Sequence, residues 1–191
     1  LPDLGTIAME IYEGTLNRYL VYPVSYALFK ISTYLGQFIT VMIQAGFSLL
    51  AFVLIFGAPV ELHITPISVV TGVLSGVAGG LLYLAMLACL ELLSFWFQNV
   101  WTLIVMLQFV VSFLGGRLLP LEVFPEQLQV VISVLPFQYI ISTPVQVLSG
   151  NFSVLEWLIS LLGALCWAGL FLIIARMVWL RGIKQYSGVG I

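Results

Sequence analysis

Charged residues are scarce in this sequence. The 191 residues include six Lys or Arg and eight Asp or Glu, which is 7% of the chain, whereas soluble domains carry about 25%. Hydrophobic residues make up 62%, and the mean hydropathy is +1.17. Such a chain cannot cover a core with solvated side chains, so its solvent is predicted to be a lipid bilayer. A formal net charge of −2 also argues against a nucleic-acid surface.

Residues that carry chemistry are equally sparse. The one histidine, His63, has no second metal ligand at a suitable spacing, and Cys89 and Cys166 lie inside apolar runs, which favours small core residues over a disulfide. The serine-hydrolase, zinc-protease and nucleotide-binding motifs are all missing. No ionisable side chain lies deep within the apolar runs, which argues against a proton relay or a charged pore ring. The sequence therefore predicts no catalytic, metal or cofactor site.

What the chain does contain is long uncharged stretches. A helix needs about 20 apolar residues to cross the hydrocarbon core. The predicted fold is therefore an all-α membrane protein with about four transmembrane helices in a single domain, 1–191. The uncharged runs are 31–60, 62–90, 92–116, 127–155 and 157–175. The predicted spans are 31–57, 67–90, 97–116 and 157–178.

The run 127–155 is predicted not to cross, because Pro136 and Pro144 interrupt it and Gly150 follows. Proline removes a helical hydrogen bond and clashes with the preceding turn. The apolar pieces around Pro136 are too short, since nine helical residues cover only about 13.5 Å. Two half-helices in a re-entrant hairpin over 119–150 fit this pattern better than a fifth span.

The distribution of positive charge predicts the orientation. With four spans and a re-entrant hairpin, five of the six cations share the side of both chain ends, which the positive-inside rule identifies as cytoplasmic. The tail 179–191 is then cytoplasmic and the hairpin external. The five cations are Arg18, Lys30, Arg176, Arg181 and Lys184, and the sixth is Arg117.

Residues 7–22 are predicted to form one amphipathic cytoplasmic helix ended by Pro23. Two interpretations stay open: a helix lying on the lipid interface, or a docking element for a cytoplasmic partner. The polar stripe consists of Glu10, Glu13, Gly14, Asn17 and Arg18. The apolar face consists of Ala8, Tyr12, Leu16, Tyr19 and Leu20.

Two further features concern helix packing. Gly72, Gly76 and Gly80 recur at every fourth residue, a small-residue ridge that favours close packing within the chain or against a second copy, with a hinge as the alternative. The link 91–101 joins the second and third spans. Its polar residues, Glu91 among them, are expected to face water or a partner.

Four segments in this order resemble the membrane subunit of type-2 ATP-binding-cassette (ABC) exporters, a bacterial permease family. The segments are "EGTLNRYLVYPVS" (13–25), "SFWFQN" (94–99), "GGRLLPLEVFPEQLQVVISVLPFQYIISTPVQVLSG" (115–150) and "RGIKQYSGVG" (181–190). Members of that family usually have six spans. The resemblance therefore implies either that two further N-terminal spans precede Leu1 in a longer protein or that the protein is a reduced form, and the first is favoured because the stretch 1–12 resembles the end of a cytoplasmic connection.

The resemblance implies a multi-pass protein of the cell inner membrane that performs no chemistry itself. Segment 7–22 would be a coupling helix that contacts a separate ABC ATPase subunit through Glu13, Gly14, Asn17 and Arg18, with Pro23 behind it. A second permease copy or a paralogue would complete the pathway, along the face of residues 95–113 and the hairpin. The external gate would contain Gly116, Arg117, Pro120, Glu122, Pro125, Pro136 and Phe137.

Two alternatives remain at this point. The chain could instead be a non-transporting membrane scaffold or assembly protein that holds a cytoplasmic partner through its amphipathic helix. Arg117 could extend to the lipid headgroups, or it could be tethered to Glu122 or Glu126 to hold the gate shut.

Overall fold

The computed structural model describes residues 5–57, 64–150 and 152–186, and all regular secondary structure within them is helical. The prediction of an all-α protein is confirmed. The helices are α1 (Thr6–Tyr12), α2 (Leu16–Leu20), α3 (Tyr26–Phe56), α4 (Pro66–Glu91), α5 (Trp101–Leu114), α6 (Glu126–Val134), α7 (Ser142–Leu148) and α8 (Val154–Gly182). Short 3-10 helices cover Leu92–Phe95, Leu121–Val123 and Pro136–Tyr139.

The long helices begin at side chains that satisfy free backbone N–H groups. Ser25 caps α3, and capping boxes formed by Thr65 with Ser68 and by Ser153 with Glu156 begin α4 and α8. Three helical segments are long and apolar enough to cross a membrane, namely Tyr26–Ile55, Pro66–Phe95 and Val154–Gly182.

The predicted third span, 97–116, is helical over a shorter stretch than expected. Helix α5 has 14 residues, or about 21 Å, against a hydrocarbon core of about 30 Å. It starts late because the side-chain oxygen of Asn99 accepts a hydrogen bond from the backbone N–H of Trp101 at 3.1 Å. It ends at Gly115, followed by Gly116 with φ +87°, a backbone conformation that suits glycine.

Helices α4 and α8 form the central pair and run parallel to each other. Trp157, near the start of α8, donates its indole N–H to Ser75 Oγ at 3.0 Å, and farther along the Cys89 thiol donates to the Phe171 carbonyl at 3.1 Å. At the far end, Phe95 packs against Gly182. We call the two ends of this pair the Pro66 end and the Glu91 end.

Small residues let these two helices approach closely. On each helix they recur at intervals of three, four or seven residues, which keeps them on one face. The buried small residues at these intervals are Ser68, Ser75, Ala78 and Ala85 on α4 and Ala164, Ala168, Ala175 and Gly182 on α8, whereas the buried Gly72 and Gly79 of α4 face α7 and the Pro136–Tyr139 segment.

The segment predicted as a re-entrant hairpin consists of two half-length helices, α6 and α7, joined by the Pro136–Tyr139 turn. Helix α7 runs antiparallel to α4, because Leu148 lies against Gly72 whereas Ile140 lies against Gly79. Gly79 is 13 residues from Pro66, or about 20 Å along α4. The turn between the two half-helices therefore lies halfway along the bundle.

Helix α5 ends at the same depth. The Gly115 carbonyl accepts a hydrogen bond from the Ser142 backbone N–H at 3.1 Å, and the Phe137 carbonyl lies against Gly115. The predicted third span therefore ends beside the Pro136–Tyr139 turn, about halfway along α4 and α8. The half-length helices take up the remaining height, and their backbone satisfies the end of α5.

Helix α3 contacts the rest of the chain along part of its length. Every fourth residue of its first half faces the bundle, namely Tyr26, Lys30, Tyr34 and Phe38. Beyond Phe38 the large apolar side chains are exposed, with Phe47 73% exposed. The second half of α3 therefore presents an apolar surface outward.

Candidate functional site

The segment 7–22 contains two helices, so the prediction of one continuous amphipathic helix is wrong. Helix α1 ends at Tyr12, and α2 begins at Leu16. Between them Gly14 has φ +73°, and its N–H bonds to the Ile11 carbonyl at 3.3 Å. A glycine in the left-handed region commonly ends a helix, because it has no side chain to clash.

The break changes which side chains face inward. Ile7, Ile11 and Leu16 are buried against Leu92 and Ala175, at the Glu91 end of α4 and α8. In the predicted apolar face Leu16 is buried, whereas Tyr12 is 45% exposed. One helical repeat does not describe the buried positions of the whole segment, because the turn at 13–15 changes which residues of α2 face inward.

Most of the residues predicted to contact an ATPase are on the surface of this segment. Glu13, Asn17, Arg18 and Pro23 are exposed, and Gly14 is half-buried in the turn. Exposed apolar and aromatic side chains surround them, so the surface combines charge with hydrophobic area. Those neighbours are Tyr12, Val21 and Tyr22. We call this surface, formed by α1, α2 and residues 21–23, the platform.

Glu91 is fully buried, and the expectation that it faces water or a partner is wrong. Its Oε1 accepts a hydrogen bond from the Gly5 N–H at 3.0 Å, and its Oε2 accepts one from the Ile7 N–H at 2.8 Å. The first N–H groups of a helix have no partner within the helix, and a carboxylate is stabilised there. Glu91, at the end of α4, thereby caps the start of α1.

Glu10 also points inward, although it was predicted to lie on the polar stripe. Its Oε1 lies 2.8 Å from Lys30 Nζ, and the Tyr26 hydroxyl donates to Oε2. Lys30 also donates to Thr6 Oγ1 at 3.3 Å. The negative charge of Glu10 raises the pKa of the nearby Tyr19. The start of α3 is thereby joined to α1 through a half-buried ion pair.

Aromatic side chains fill the space between the platform and α8. The rings of Tyr26 and Trp179 stack with their centroids 5.3 Å apart, and Phe95 contacts Trp179 and Tyr186 edge-on at 5.8 and 6.2 Å. The absence of a side chain at Gly182 leaves room for the Phe95 ring. Helices α1, α3, α4 and α8 therefore meet in one packed junction at the Glu91 end.

The three glycines predicted as one ridge do not share a face. Gly72 packs against Leu148 of α7, Gly80 packs against Phe38 of α3, and Gly76 has open space around it. Eight residues advance about 80° beyond whole turns of a helix, so a spacing of four drifts around the surface. The spacing of seven from Gly72 to Gly79 keeps one face, and Gly79 lies directly against the backbone of the Pro136–Tyr139 turn.

The residues predicted to form one external gate are in two environments. Pro136 is buried and Phe137 packs near Leu82 and Ala168 halfway along the bundle, with Gly116 close to Ser142 at that depth. The remaining gate residues lie in the exposed loop between α5 and α6. They are Arg117, Pro120, Glu122 and Pro125.

The predicted tether of Arg117 is absent. Within the described ranges 5–57, 64–150 and 152–186 the ion pair of Lys30 with Glu10 stands alone, so Arg117 pairs with neither Glu122 nor Glu126. Its side chain is exposed, which agrees with the alternative that it extends toward headgroups.

A second apolar surface lies along α5. Met106 is 62% exposed, Phe109 is similarly exposed, and the Phe109 and Phe113 rings stack with centroids 6.1 Å apart. This stripe lies within the face predicted to line a pathway.

Comparison with known proteins gives one match. A family model described as an ABC-2 family transporter protein matches residues 2–190, nearly the whole chain. No curated protein and no solved structure matches. The resemblance found in the sequence is thereby confirmed at the level of the family.

Proposed function

The chain belongs to the ABC-2 family of transporter proteins, and on that premise we propose that it is the permease subunit of an ABC exporter. It resides in the cell inner membrane with the Glu91 end in the cytoplasm. A separate ABC ATPase subunit hydrolyses ATP, and this chain converts the movement of that ATPase into movement of its helices.

The observation that carries this proposal is the platform. Two short helices stand outside the long ones, their apolar side packed on α4 and α8 and their outer side carrying Glu13 and Arg18. An exposed surface with charge among aromatic and aliphatic side chains has the composition of a protein-binding site. A helix that only lay on lipid would turn its apolar side to the membrane, whereas here Ile7 and Ile11 are buried within the protein.

The packing of the platform supports transmission of movement. Helix α1 is held by Glu91 at the end of α4 and by Lys30 at the start of α3, and the Tyr26 ring stacks on Trp179 of α8. A push on the platform therefore displaces several helices together. Packed elements respond to such a push as rigid bodies between discrete arrangements.

The pathway is proposed to lie between this chain and a second permease copy or a paralogue. The second half of α3 and the Met106–Phe109 stripe of α5 present apolar surface that nothing else in the described chain covers. Contiguous apolar surface of this kind marks either lipid contact or an interaction site. The half-length helices α6 and α7 would close the pathway on the external side.

Pairwise purification tests the proposal. The tagged chain is co-expressed with each ABC ATPase of the source organism in turn, purified in nanodiscs and assayed for a bound ATPase and its ATP hydrolysis. We expect one ATPase to co-purify at a defined ratio. The double variant Glu13→Lys with Arg18→Glu is expected to lose that association, because it reverses both charges on the platform.

The control variant carries a charge reversal at the opposite end of the bundle. Glu126→Lys changes an exposed carboxylate in the first turn of α6 and should leave the association unchanged. The proposal fails if none of these ATPases binds the wild-type chain. The coupling role of the platform fails if the double variant binds and stimulates the ATPase as well as Glu126→Lys does.

A further inference from the structure

We propose that Glu91 is a positioning residue that latches the platform to α4, so that a displacement of α1 moves α4 with it. This inference rests on the proposed function and adds the residue through which the platform acts. The same structure also shows what the latch would move, since α4 supports the turn between the two half-length helices.

The geometry of Glu91 is that of a directional attachment. Each carboxylate oxygen accepts one backbone N–H, from Gly5 at 3.0 Å and from Ile7 at 2.8 Å. The donors precede Glu91 by more than 80 residues, so the bonds join separate parts of the chain. Because both oxygens are used, α1 can neither rotate nor slide along its axis without breaking a bond.

The other contacts of α1 with α4 and α8 do not supply that restraint, and the polar contacts of Glu10 and Thr6 join α1 to α3 instead. Ile7 and Ile11 pack against Leu92 and Ala175 through apolar surface, which is attractive in many relative positions because the hydrophobic effect has no direction. Hydrogen bonds to a charged acceptor are stronger than neutral ones and depend steeply on geometry. The Glu91 carboxylate therefore sets the position of α1 relative to α4, on an apolar surface that would otherwise let the two helices shift.

Burial makes the latch hard to open. Glu91 is 0% exposed, and the cation nearest in the junction, Lys30, forms its ion pair with Glu10. The charge of Glu91 is thus stabilised mainly by the start of α1. Withdrawing α1 would leave a buried carboxylate without hydrogen bonds, an arrangement that is strongly unfavourable. A force on α1 therefore moves α4 as well, before the hydrogen bonds between the two helices break.

Helix α4 leads from the latch to the proposed gate. Glu91 is its last residue, and Gly79, three turns earlier, lies against the carbonyl of Tyr139 and the backbone of Ile140. A Cβ at position 79 would overlap that backbone, so the two elements are in direct contact. When the latch displaces α4, the Pro136–Tyr139 turn is therefore displaced too, because it contacts the same rigid helix.

Hydrogen exchange tests the latch without an ATPase. The wild-type chain and Glu91→Gln are compared in nanodiscs, because Gln keeps the shape of the side chain and removes its charge. We expect the amides of residues 5–12 to exchange about tenfold faster or more in the variant, with α4 and α8 unchanged. The matched control is Glu156→Gln, since Glu156 also accepts two hydrogen bonds at a helix start, from Ser153 N and Oγ, but is exposed.

A second measurement tests whether the latch carries movement. In a variant with both cysteines replaced by alanine, Ser133→Cys at the exposed side of α6 is labelled with a maleimide, with and without MgATP and vanadate. The ATPase-bound wild type should show a nucleotide-dependent change in labelling rate. Glu91→Gln should retain the bound ATPase and lose most of that change, whereas Glu156→Gln should keep it.

The outcomes separate the latch from the proposed function. Wild-type exchange rates at 5–12 in Glu91→Gln, or an undiminished nucleotide response, overturn the latch while leaving the permease proposal intact. If no ATPase binds the wild-type chain, the permease proposal fails, and the exchange data still decide whether Glu91 holds α1.

A second pair of variants applies if Glu91→Gln does not fold. Ile7→Pro removes one of the two donors within the first turn of α1, where proline is tolerated. Ile7→Ala keeps the donor and removes most of the same side chain. Faster exchange at 8–12 in the proline variant than in the alanine variant supports the latch, and equal rates overturn it.

Discussion

Lys30 Nζ lies 2.8 Å from Glu10 Oε1, and this ion pair joins the first turns of α3 to the middle of α1. Both side chains are largely shielded from water at the junction of the platform with the long helices. Together with the Glu91 cap, the pair gives α1 one polar attachment to α3 and another to α4. The position of the platform is thus set by charged groups on a mainly apolar surface.

The first prediction concerns this ion pair. Lys30→Met leaves Glu10 as an unpaired half-buried carboxylate and should destabilise the protein by about 1–3 kcal/mol, less than for a fully buried pair. For a chain of this length that corresponds to a melting temperature lower by roughly 2–10 °C. Tryptophan fluorescence during heating in detergent gives the measurement.

The double variant Lys30→Met with Glu10→Gln provides the control for the first prediction. It removes both charges and should recover part of the stability that Lys30→Met loses, because no buried charge is left unpaired. Equal melting temperatures for the single and double variants would contradict the prediction, because removing the unpaired charge of Glu10 would then restore no stability.

The second prediction compares two glycines on α4. Gly79→Ala places a methyl group on the backbone of Tyr139 and Ile140, and overpacking of this kind costs about 1–3 kcal/mol. Gly76→Ala has open space and should stabilise the helix by up to about 1 kcal/mol. Melting temperatures and the labelling rate of Ser133→Cys measure both effects. A Gly79→Ala variant as stable as Gly76→Ala would contradict the contact at mid-depth.

The third prediction concerns Gly14, which separates α1 from α2. At φ +73° an alanine is strained by about 1–2 kcal/mol, so Gly14→Ala should lower the melting temperature and weaken ATPase binding. Asparagine tolerates this conformation better, so Gly14→Asn should fall between alanine and the wild type. If alanine and asparagine behave alike, Gly14 contributes through contact with the partner and the turn conformation is not the cause.

The fourth prediction concerns Arg117. Because the described structure gives it no carboxylate partner, Arg117→Gln should leave ATPase binding and the nucleotide-dependent labelling of Ser133→Cys unchanged within about twofold, the scale of a weak exposed interaction. A large change in labelling would restore the tether that the sequence suggested. Lipid titration in anionic and neutral nanodiscs would then show whether headgroups are involved.

Local patterns in the sequence were sufficient for the long helices. Thr65 with Pro66, and Ser153 with Glu156, carry the signals of helix starts, and the structure places α4 and α8 there. Pro136 likewise marks a break that the structure contains. These features depend on neighbours within about four residues, so a single sequence is enough to predict them.

The site depended on contacts between distant parts of the chain, which no local pattern encodes. Glu91 was expected to be exposed because a carboxylate is rarely buried, and its partners are backbone groups more than 80 residues away. The spacing of four among Gly72, Gly76 and Gly80 gives no signal for Gly79, because close packing follows a repeat near seven, which joins Gly72 to Gly79. One available signal was the position of Glu91 itself, an isolated charge between two long uncharged runs.

Because α5 ends at half the height of the bundle, it does not fill the full thickness of the hydrocarbon core of a membrane. On the side of the Pro66 end, the barrier next to α4 and α8 is made of two helices of nine and seven residues instead of complete spans. In a bilayer, an opening there needs only these short pieces to shift, while the hydrogen bonds of the long helices stay intact. Among the described residues, the segment around the buried Pro136 is therefore the part of the chain that costs least to deform.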